Sequence, residues 1–185
     1  MQLNGSQIFV EVLCEQGVDT LFGYPGGAVL NLYDELYKNA DRITHVLTAH
    51  EQGASHAADA TPVQRAAPAW CWPPAARAQR TSSPASPPLY GLCADGGFHR
   101  QCDHGGPGQG RLPGSYIEGI TMPITKHNFT VRRVEDLADT MRAAFRIAQS
   151  GRKGPVLVDI PKDITAASCE FTPKLRAHPH RDRYN

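Results

Sequence analysis

The chain has 185 residues, 20% of them charged, and a net charge of +1. This length predicts one ordinary domain with a short tail, and the near-neutral charge argues against nucleic acid or an anionic membrane as a partner. Because neither a secretory signal nor an apolar run of about 20 residues is visible, we expect a cytoplasmic protein with free cysteines.

The first 60 residues alternate between helical and strand patterns. Ser6 is the expected N-cap of the first helix, and Gly17 is expected to end it. Apolar residues then recur at helical spacing or form short β-branched runs. The predicted elements are a helix over 6–17, a strand over 18–22, a glycine-rich turn over 23–27, a helix over 28–38, a strand over 43–48 and a helix over 51–59.

A second regular region follows residue 120. Residues 121–131 predict an extended segment and a loop, residues 134–148 an amphipathic helix, and residues 155–160 a buried parallel strand. Strands and helices that alternate at short intervals predict an α/β fold with a doubly wound, mostly parallel sheet. We assign this domain to residues 1–165 and a linker or tail to residues 166–185.

The composition changes abruptly between residues 61 and 115. This segment holds nine of the fifteen prolines and both tryptophans. Leu, Ile, Val and Phe together supply only five of its positions, well below the roughly 20% that is typical of globular chains. Such a segment buries too little apolar surface to offset about 1–2 kcal/mol of backbone entropy per residue. We therefore expect residues 61–115 to be largely disordered.

Glu51 lies where the predicted strand over 43–48 gives way to an Ala-rich helix. In an open α/β sheet, ligands bind at such junctions, because the carboxyl ends of strands and the amino ends of helices converge there. The simpler interpretation is an acidic residue in the first helical turn, where it interacts favourably with the helix dipole. Position alone favours that simpler interpretation.

The sequence resembles the start of the acetolactate synthase large subunit, a thiamine-diphosphate enzyme, in two motifs at a matching separation, Gly23-Tyr24-Pro25-Gly26-Gly27-Ala28 and His50-Glu51-Gln52-Gly53-Ala54. The resemblance covers about residues 1–60 and resumes from Ile117 to about Asp163. It implies the N-terminal, pyrimidine-binding domain of such an enzyme.

The resemblance also implies cofactor-binding roles. Glu51 would hydrogen-bond the pyrimidine ring nitrogen of thiamine diphosphate and favour the imino tautomer, which removes the thiazolium C2 proton. Such a carboxyl needs an apolar setting that raises its pKa, and Ala49, Ala54 and Ala57 are suited to supply it. The Pro25-Gly26-Gly27 turn would lie beside the thiazolium. Paired glycines there are equally typical of a turn that needs positive φ.

In this family, pyruvate is decarboxylated and its hydroxyethyl unit passes to a second 2-oxo acid, towards branched-chain amino acids. The resemblance implies a homodimer or homotetramer that has a small regulatory subunit as a partner. It also implies magnesium, held by a C-terminal domain, and it allows for FAD as a further cofactor. The chain contains no G-D-G motif for that magnesium site, so we expect it to be inactive alone. The alternatives are another thiamine-diphosphate enzyme (a 2-oxo acid decarboxylase or sulfoacetaldehyde acetyltransferase) and a non-catalytic pseudogene product.

A frameshift would explain the unusual middle segment. With codons chosen to fit, residues 70–81 reread one nucleotide out of register as V-V-L-A-T-S-G-P-G-A-T-N. Residues 61–65 reread as Y-A-R-A-T-G, and residues 89–97 as A-Y-M-D-S-V-P-M-V. All three products resemble the family. We therefore expect a frameshift over residues 60–116, in the gene or in its sequencing.

Other candidate residues are weaker. His50 and His56 are more typical of structural histidines at a sheet end than of acid–base or metal residues. The run Lys126–Phe129 matches the family without an assigned chemical role. Zinc sites need closely paired ligands, and this spacing is absent from the four candidates Cys93, His99, Cys102 and His104. We therefore predict no metal site within the chain.

Overall fold

The computed structural model describes residues 1–27, 29–50, 52–58, 121–151 and 154–174, and the backbone of strands 69–72 and 91–95. These described residues form eight strands, which are β1 (Gln2–Asn4), β2 (Thr20–Gly23), β3 (Thr44–Leu47), β4 (Ala69–Trp72), β5 (Gly91–Asp95), β6 (His127–Thr130), β7 (Val156–Asp159) and β8 (Ser168–Glu170). Their helices are α1 (Gly5–Glu15), α2 (Leu30–Lys38), α3 (52–58), α4 (Val134–Gln149) and α5 (Lys162–Ala166).

Six of these strands form one sheet in the order β3-β2-β4-β5-β7-β6. Every neighbouring pair in it is parallel. Parallel neighbours require crossover connections, which are usually helical. The predicted α/β fold with a parallel sheet is therefore confirmed, and β1 and β8 form a separate antiparallel pair.

Helices cover both faces of this sheet. On one face, α1 and α4 pack together and enclose a core that includes Leu21 of β2. The next residue, Phe22, packs instead against Ala54 and Ala58 of α3. Because successive side chains of a strand point to opposite faces, α3 lies on the face opposite α1 and α4.

The predicted N-cap of α1 was wrong. The cap is Asn4, whose side chain accepts from the Gln7 amide at 2.8 Å while the Gln7 side chain accepts from the Asn4 amide at 3.0 Å. This reciprocal pair satisfies two amides that the helix leaves unpaired. Ser6 is buried instead, and its hydroxyl donates to the carbonyl of Thr165 at 2.9 Å. The helix ends as predicted, with Gly17 at a φ of 77°.

The described structure extends past residue 165, where the predicted domain ended. Residues 168–170 pair with β1, and the Phe171 amide donates to the Met1 carbonyl at 2.8 Å. The Phe171 side chain is only 2% exposed. The ordered structure therefore continues at least to Lys174, and residues 175–185 of the predicted tail lie outside the described residues.

The unusual middle segment contributes two strands that the sequence did not predict. β4 and β5 pair with each other, and they join β2 to β7 at the centre of the sheet. The rest of residues 61–115 lies outside the described residues. β4 and β5 lie within the segment predicted to be disordered, and for the rest of that segment disorder stays a prediction.

Candidate functional site

The two motifs meet at the end of the sheet where β2 and β3 finish. We call this region, residues 23–27 and 48–54, the carboxyl edge. The Thr48 amide donates to the Gly23 carbonyl at 3.1 Å, and the Thr48 hydroxyl lies 3.3 Å from the same oxygen. Because β2 and β3 are parallel neighbours, their ends lie side by side, and Thr48 joins the first motif to the second.

Helix α3 begins directly after this joint. The Thr48 hydroxyl donates to the His50 carbonyl at 2.9 Å, and the Ala54 amide donates to the same carbonyl at 3.2 Å. Glu51, the predicted catalytic residue, lies outside the described residues, between His50 and Gln52. The two residues that flank it in sequence are both exposed.

The apolar setting predicted for Glu51 is incomplete within the described residues. Ala54 is fully buried and Ala57 is half-buried, but Ala49 is exposed. Three large apolar side chains near this edge are also exposed, by 65%, 58% and 38%, namely Leu47, Leu30 and Tyr24. The described residues therefore leave apolar surface uncovered at the carboxyl edge.

The glycine-rich turn leaves free space. Pro25 and Gly27 are exposed, Gly26 is half-buried, and the Gly26 carbonyl accepts from the Val29 amide at 3.1 Å. Among the described residues, a Cβ added at Gly27 would meet no atom within 4 Å, and its φ is not left-handed. Neither backbone conformation nor crowding by those residues therefore requires glycine at position 27. Open space of this kind fits a ligand or a partner that approaches the backbone closely.

Three histidines in and near the second motif, His45, His50 and His56, differ in their burial. His50 and His56 are exposed. His45, which the sequence analysis did not single out, pairs with Tyr33, whose hydroxyl lies 3.2 Å from its Nε2. The two rings meet edge to face at 4.9 Å. Burial lowers the pKa of His45 from its usual 6.5, so this ring serves to pack α2 on β3.

Lys126 has a structural role in the run that matched the family. Its ammonium donates to the Ile147 carbonyl at 2.5 Å, to the Ser150 carbonyl and, at 3.2 Å, to the Ser150 hydroxyl. These acceptors lie at the carboxyl end of α4, where a cation is favoured by the helix dipole. Lys126 therefore caps α4.

The described residues contain no group of three or more His, Cys, Asp or Glu side chains that could hold a metal ion. The side chains of the zinc candidates Cys93, His99, Cys102 and His104 lie outside them, so that prediction stays untested. In the part of the chain that the structure describes, no helix combines the length and apolar character needed to span a bilayer.

A shallow groove of about 470 Å³ lies elsewhere, between β6 and α4. Its lining includes Phe129, Arg132 and Asp136. It lies at the edge of the sheet opposite β3, so it is not part of the carboxyl edge.

Comparisons with known proteins point to one family. Residues 3–72 match the family described as thiamine pyrophosphate enzyme, N-terminal TPP binding domain. The chain is 41% identical over 179 residues to an acetolactate synthase large subunit of Mycobacterium tuberculosis, covering 92% of this chain and 28% of that protein. The chain is therefore similar to the N-terminal part of acetolactate synthase large subunits. The resemblance inferred from the two motifs is therefore confirmed.

More distant relatives of the acetolactate synthase family agree. The chain is 40% identical over 173 residues to the mitochondrial catalytic subunit of Saccharomyces cerevisiae, covering 89% of this chain and 24% of that protein. It is 37% identical over 183 residues to the isozyme 1 large subunit of Escherichia coli, covering 92% and 30%. The chain spans about 28% of the length of its acetolactate synthase relatives, at their N-terminal end.

Proposed function

We propose that this chain supplies the pyrimidine-binding part of a thiamine-diphosphate-dependent acetolactate synthase. The observation that carries the proposal is the Thr48 joint, which holds the glycine-rich turn beside the start of α3. Both family motifs flank that joint, and both fall within the matched residues 3–72. The carboxyl ends of parallel strands are where α/β sheets bind ligands.

Glu51 and the Pro25-Gly26-Gly27 turn are the proposed cofactor contacts. Glu51 would hold a proton at the pyrimidine ring nitrogen, and the open space at Gly27 would admit the thiazolium. The chemistry that thiamine diphosphate supplies when bound is a nucleophilic thiazolium carbon. A carboxyl that shares a proton near neutral pH needs burial to raise its pKa. Leu47 and Leu30 are exposed. Their exposure supports a site that additional protein covers and shields from water.

The substrates and partners are proposed from the family. The reaction would join pyruvate to a second 2-oxo acid in branched-chain amino acid biosynthesis, in the cytoplasm. Relatives are named "large subunit" and "catalytic subunit", which supports a small regulatory subunit as a partner. Magnesium, FAD and a homodimer or homotetramer would involve the remainder of such an enzyme. The 185 residues alone would then be inactive.

The test is a chimera, because this chain aligns with the N-terminal end of full-length relatives. Residues 1–58 would replace the matching residues of the Escherichia coli isozyme 1 large subunit. The chimera is expected to form acetolactate from pyruvate with thiamine diphosphate and magnesium, whereas the 185-residue chain alone is not. A folded but inactive chimera would contradict the cofactor role. Full activity of the chain alone would contradict the need for further protein.

We also propose that residues 60–116 are read out of frame relative to the family. β4 coincides with the start of the rereading V-V-L-A, and a central parallel strand is usually a continuous apolar run of that kind. In the present reading that strand carries Trp70, Cys71 and Trp72. Determination of the nucleotide sequence tests this proposal, since codons that do not reread as the family pattern would exclude it.

A further inference from the structure

Residues 168–174 run from β8 along the two helices of the core layer, and we call them the strap. The strap begins by pairing with β1, where Leu3 lies opposite Cys169. The amino group of Met1 donates to the Phe171 carbonyl at 3.0 Å, and the Phe171 amide donates back to the Met1 carbonyl at 2.8 Å. Two backbone hydrogen bonds therefore join Met1 to Phe171.

An ion pair between α1 and α4 lies beneath the strap. The Arg142 guanidinium donates to both carboxylate oxygens of Glu15, at 2.9 and 3.0 Å. The Arg142 side chain is 14% exposed and that of Glu15 only 7%. A two-bond pair that is largely removed from water fixes geometry more strongly than a surface pair does. We call Glu15 and Arg142 the clasp.

Both members of the clasp also bind the backbone of the strap. The Lys174 amide donates to Glu15 Oε1 at 2.8 Å, and Arg142 Nη2 donates to the Thr172 carbonyl at 3.2 Å. The guanidinium also lies over the Phe171 ring, 5.5 Å from its centroid. Both side chains of the clasp therefore bind the strap backbone as well as each other.

The other contacts of the strap are weaker. The Lys174 ammonium lies 3.0 Å from Asp139 Oδ1, but both side chains are more than half exposed. Exposed pairs of this kind contribute little. Phe171 is also bound to Met1, so the clasp, rather than the outer pair, is the main side-chain attachment of residues 172–174.

We propose that the clasp fixes the point at which the chain leaves this domain. While it is closed, it holds residues 171–174 against α1 and α4. The relatives continue well beyond the aligned part, so this attachment would make their following region leave from a fixed point. When the clasp is broken, the strap detaches locally while the parallel sheet stays folded. Local opening of a short segment while the rest of the structure stays folded is typical of native proteins.

The test is amide hydrogen exchange on the 185-residue chain, comparing Glu15→Ala with Glu11→Ala. Glu11 is also on α1 and also binds an arginine by two bonds, but that partner, Arg42, lies away from the strap. Glu15→Ala is expected to accelerate exchange at the Phe171 and Lys174 amides at least about tenfold, without a matching change in β7. Glu11→Ala is expected to leave the strap amides unchanged.

A second pair of variants keeps both members of the clasp. Lys174→Pro removes the amide that donates to Glu15, whereas Lys174→Ala keeps it and removes only the outer contact with Asp139. Lys174→Pro is expected to accelerate exchange at Phe171, and Lys174→Ala is not. Unchanged strap amides in Lys174→Pro, or equal acceleration throughout β7 and the strap in Glu15→Ala, would overturn the proposal.

Discussion

The core layer of α1 and α4 and the carboxyl edge differ in what covers their apolar side chains. In the layer, Phe9, Leu137 and Phe145 are at most 1% exposed, because other residues of this chain cover them. At the edge, Leu30 and Leu47 are more than half exposed. Apolar surface of this kind marks a binding or interaction site when it is contiguous. Within the described residues, the core layer is therefore covered by the chain itself, whereas apolar side chains at the carboxyl edge stay exposed, as the proposed function requires.

The largest expected effect comes from truncation within the layer. Phe145→Ala should destabilise the chain by about 3–5 kcal/mol, because it removes a buried aromatic side chain and leaves a cavity. Leu47→Ala at the edge should change the free energy of unfolding by less than about 0.5 kcal/mol. Urea denaturation of both variants checks this. A large loss for Leu47→Ala would mean that the edge is already part of the core.

Gly5 in the core layer and Gly27 at the carboxyl edge differ in the space around them. A Cβ at Gly5 would lie 2.1 Å from the Ile164 carbonyl oxygen, whereas one at Gly27 would meet no atom of the described residues within 4 Å. Gly5→Ala should therefore cost about 1–3 kcal/mol through overpacking. Gly27→Ala should leave thermal stability unchanged but lower acetolactate formation in the chimera. A Gly27→Ala chimera with full activity would show that the space beside the turn is not used.

Removal of the Thr48 hydroxyl should have a moderate effect. Thr48→Val keeps the shape of the side chain but removes the bond to the His50 carbonyl, which should cost about 0.5–1.5 kcal/mol. Thr48→Ser restores the hydroxyl and should recover most of the stability. The two variants are compared by urea denaturation. If Thr48→Val and Thr48→Ser prove equally stable, the joint between the two motifs does not depend on this hydroxyl.

The smallest expected effect is a pH dependence from His45. Since burial lowers the pKa of His45 below 6.5, the unfolded chain binds this proton more readily than the folded chain. The contribution of the neutral ring is therefore complete above the unfolded pKa and is lost as the pH falls towards the lower folded pKa. The urea midpoint should drop between about pH 7 and about pH 5, and less so in His45→Gln. An identical drop of the urea midpoint in the unmodified chain and in His45→Gln would rule out His45 as the source of the pH dependence.

Much of the scaffold could be predicted from local patterns. The predicted amphipathic helix over 134–148 corresponds to α4, whose apolar residues recur at helical spacing and are buried, namely Leu137, Met141, Ala144, Phe145 and Ala148. β7 was predicted from its continuous apolar run and is buried at every position. Such patterns are local consequences of one buried face.

Other features depend on contacts between distant residues. β1 and β8 are three residues each, and their pairing joins Gln2 to Glu170, which no local pattern indicates. Ser6 and Asn4 are both good helix caps; the reciprocal pair of Asn4 with Gln7 places the cap at Asn4, and Ser6 is buried against Thr165. The motifs located the carboxyl edge, but the bonds from Thr48 to both sides of it became visible only in the structure.

The central claim is that Glu51 provides the acid–base group of this edge, and the most direct measurement is acetolactate formation by the chimera carrying Glu51→Gln. We expect a loss of about 10²- to 10⁴-fold, the usual size of an acid–base contribution, with thiamine diphosphate still bound. Glu11→Gln, which changes a carboxylate on α1, should retain full activity. A Glu51→Gln chimera that matches the unmodified chimera would contradict the account.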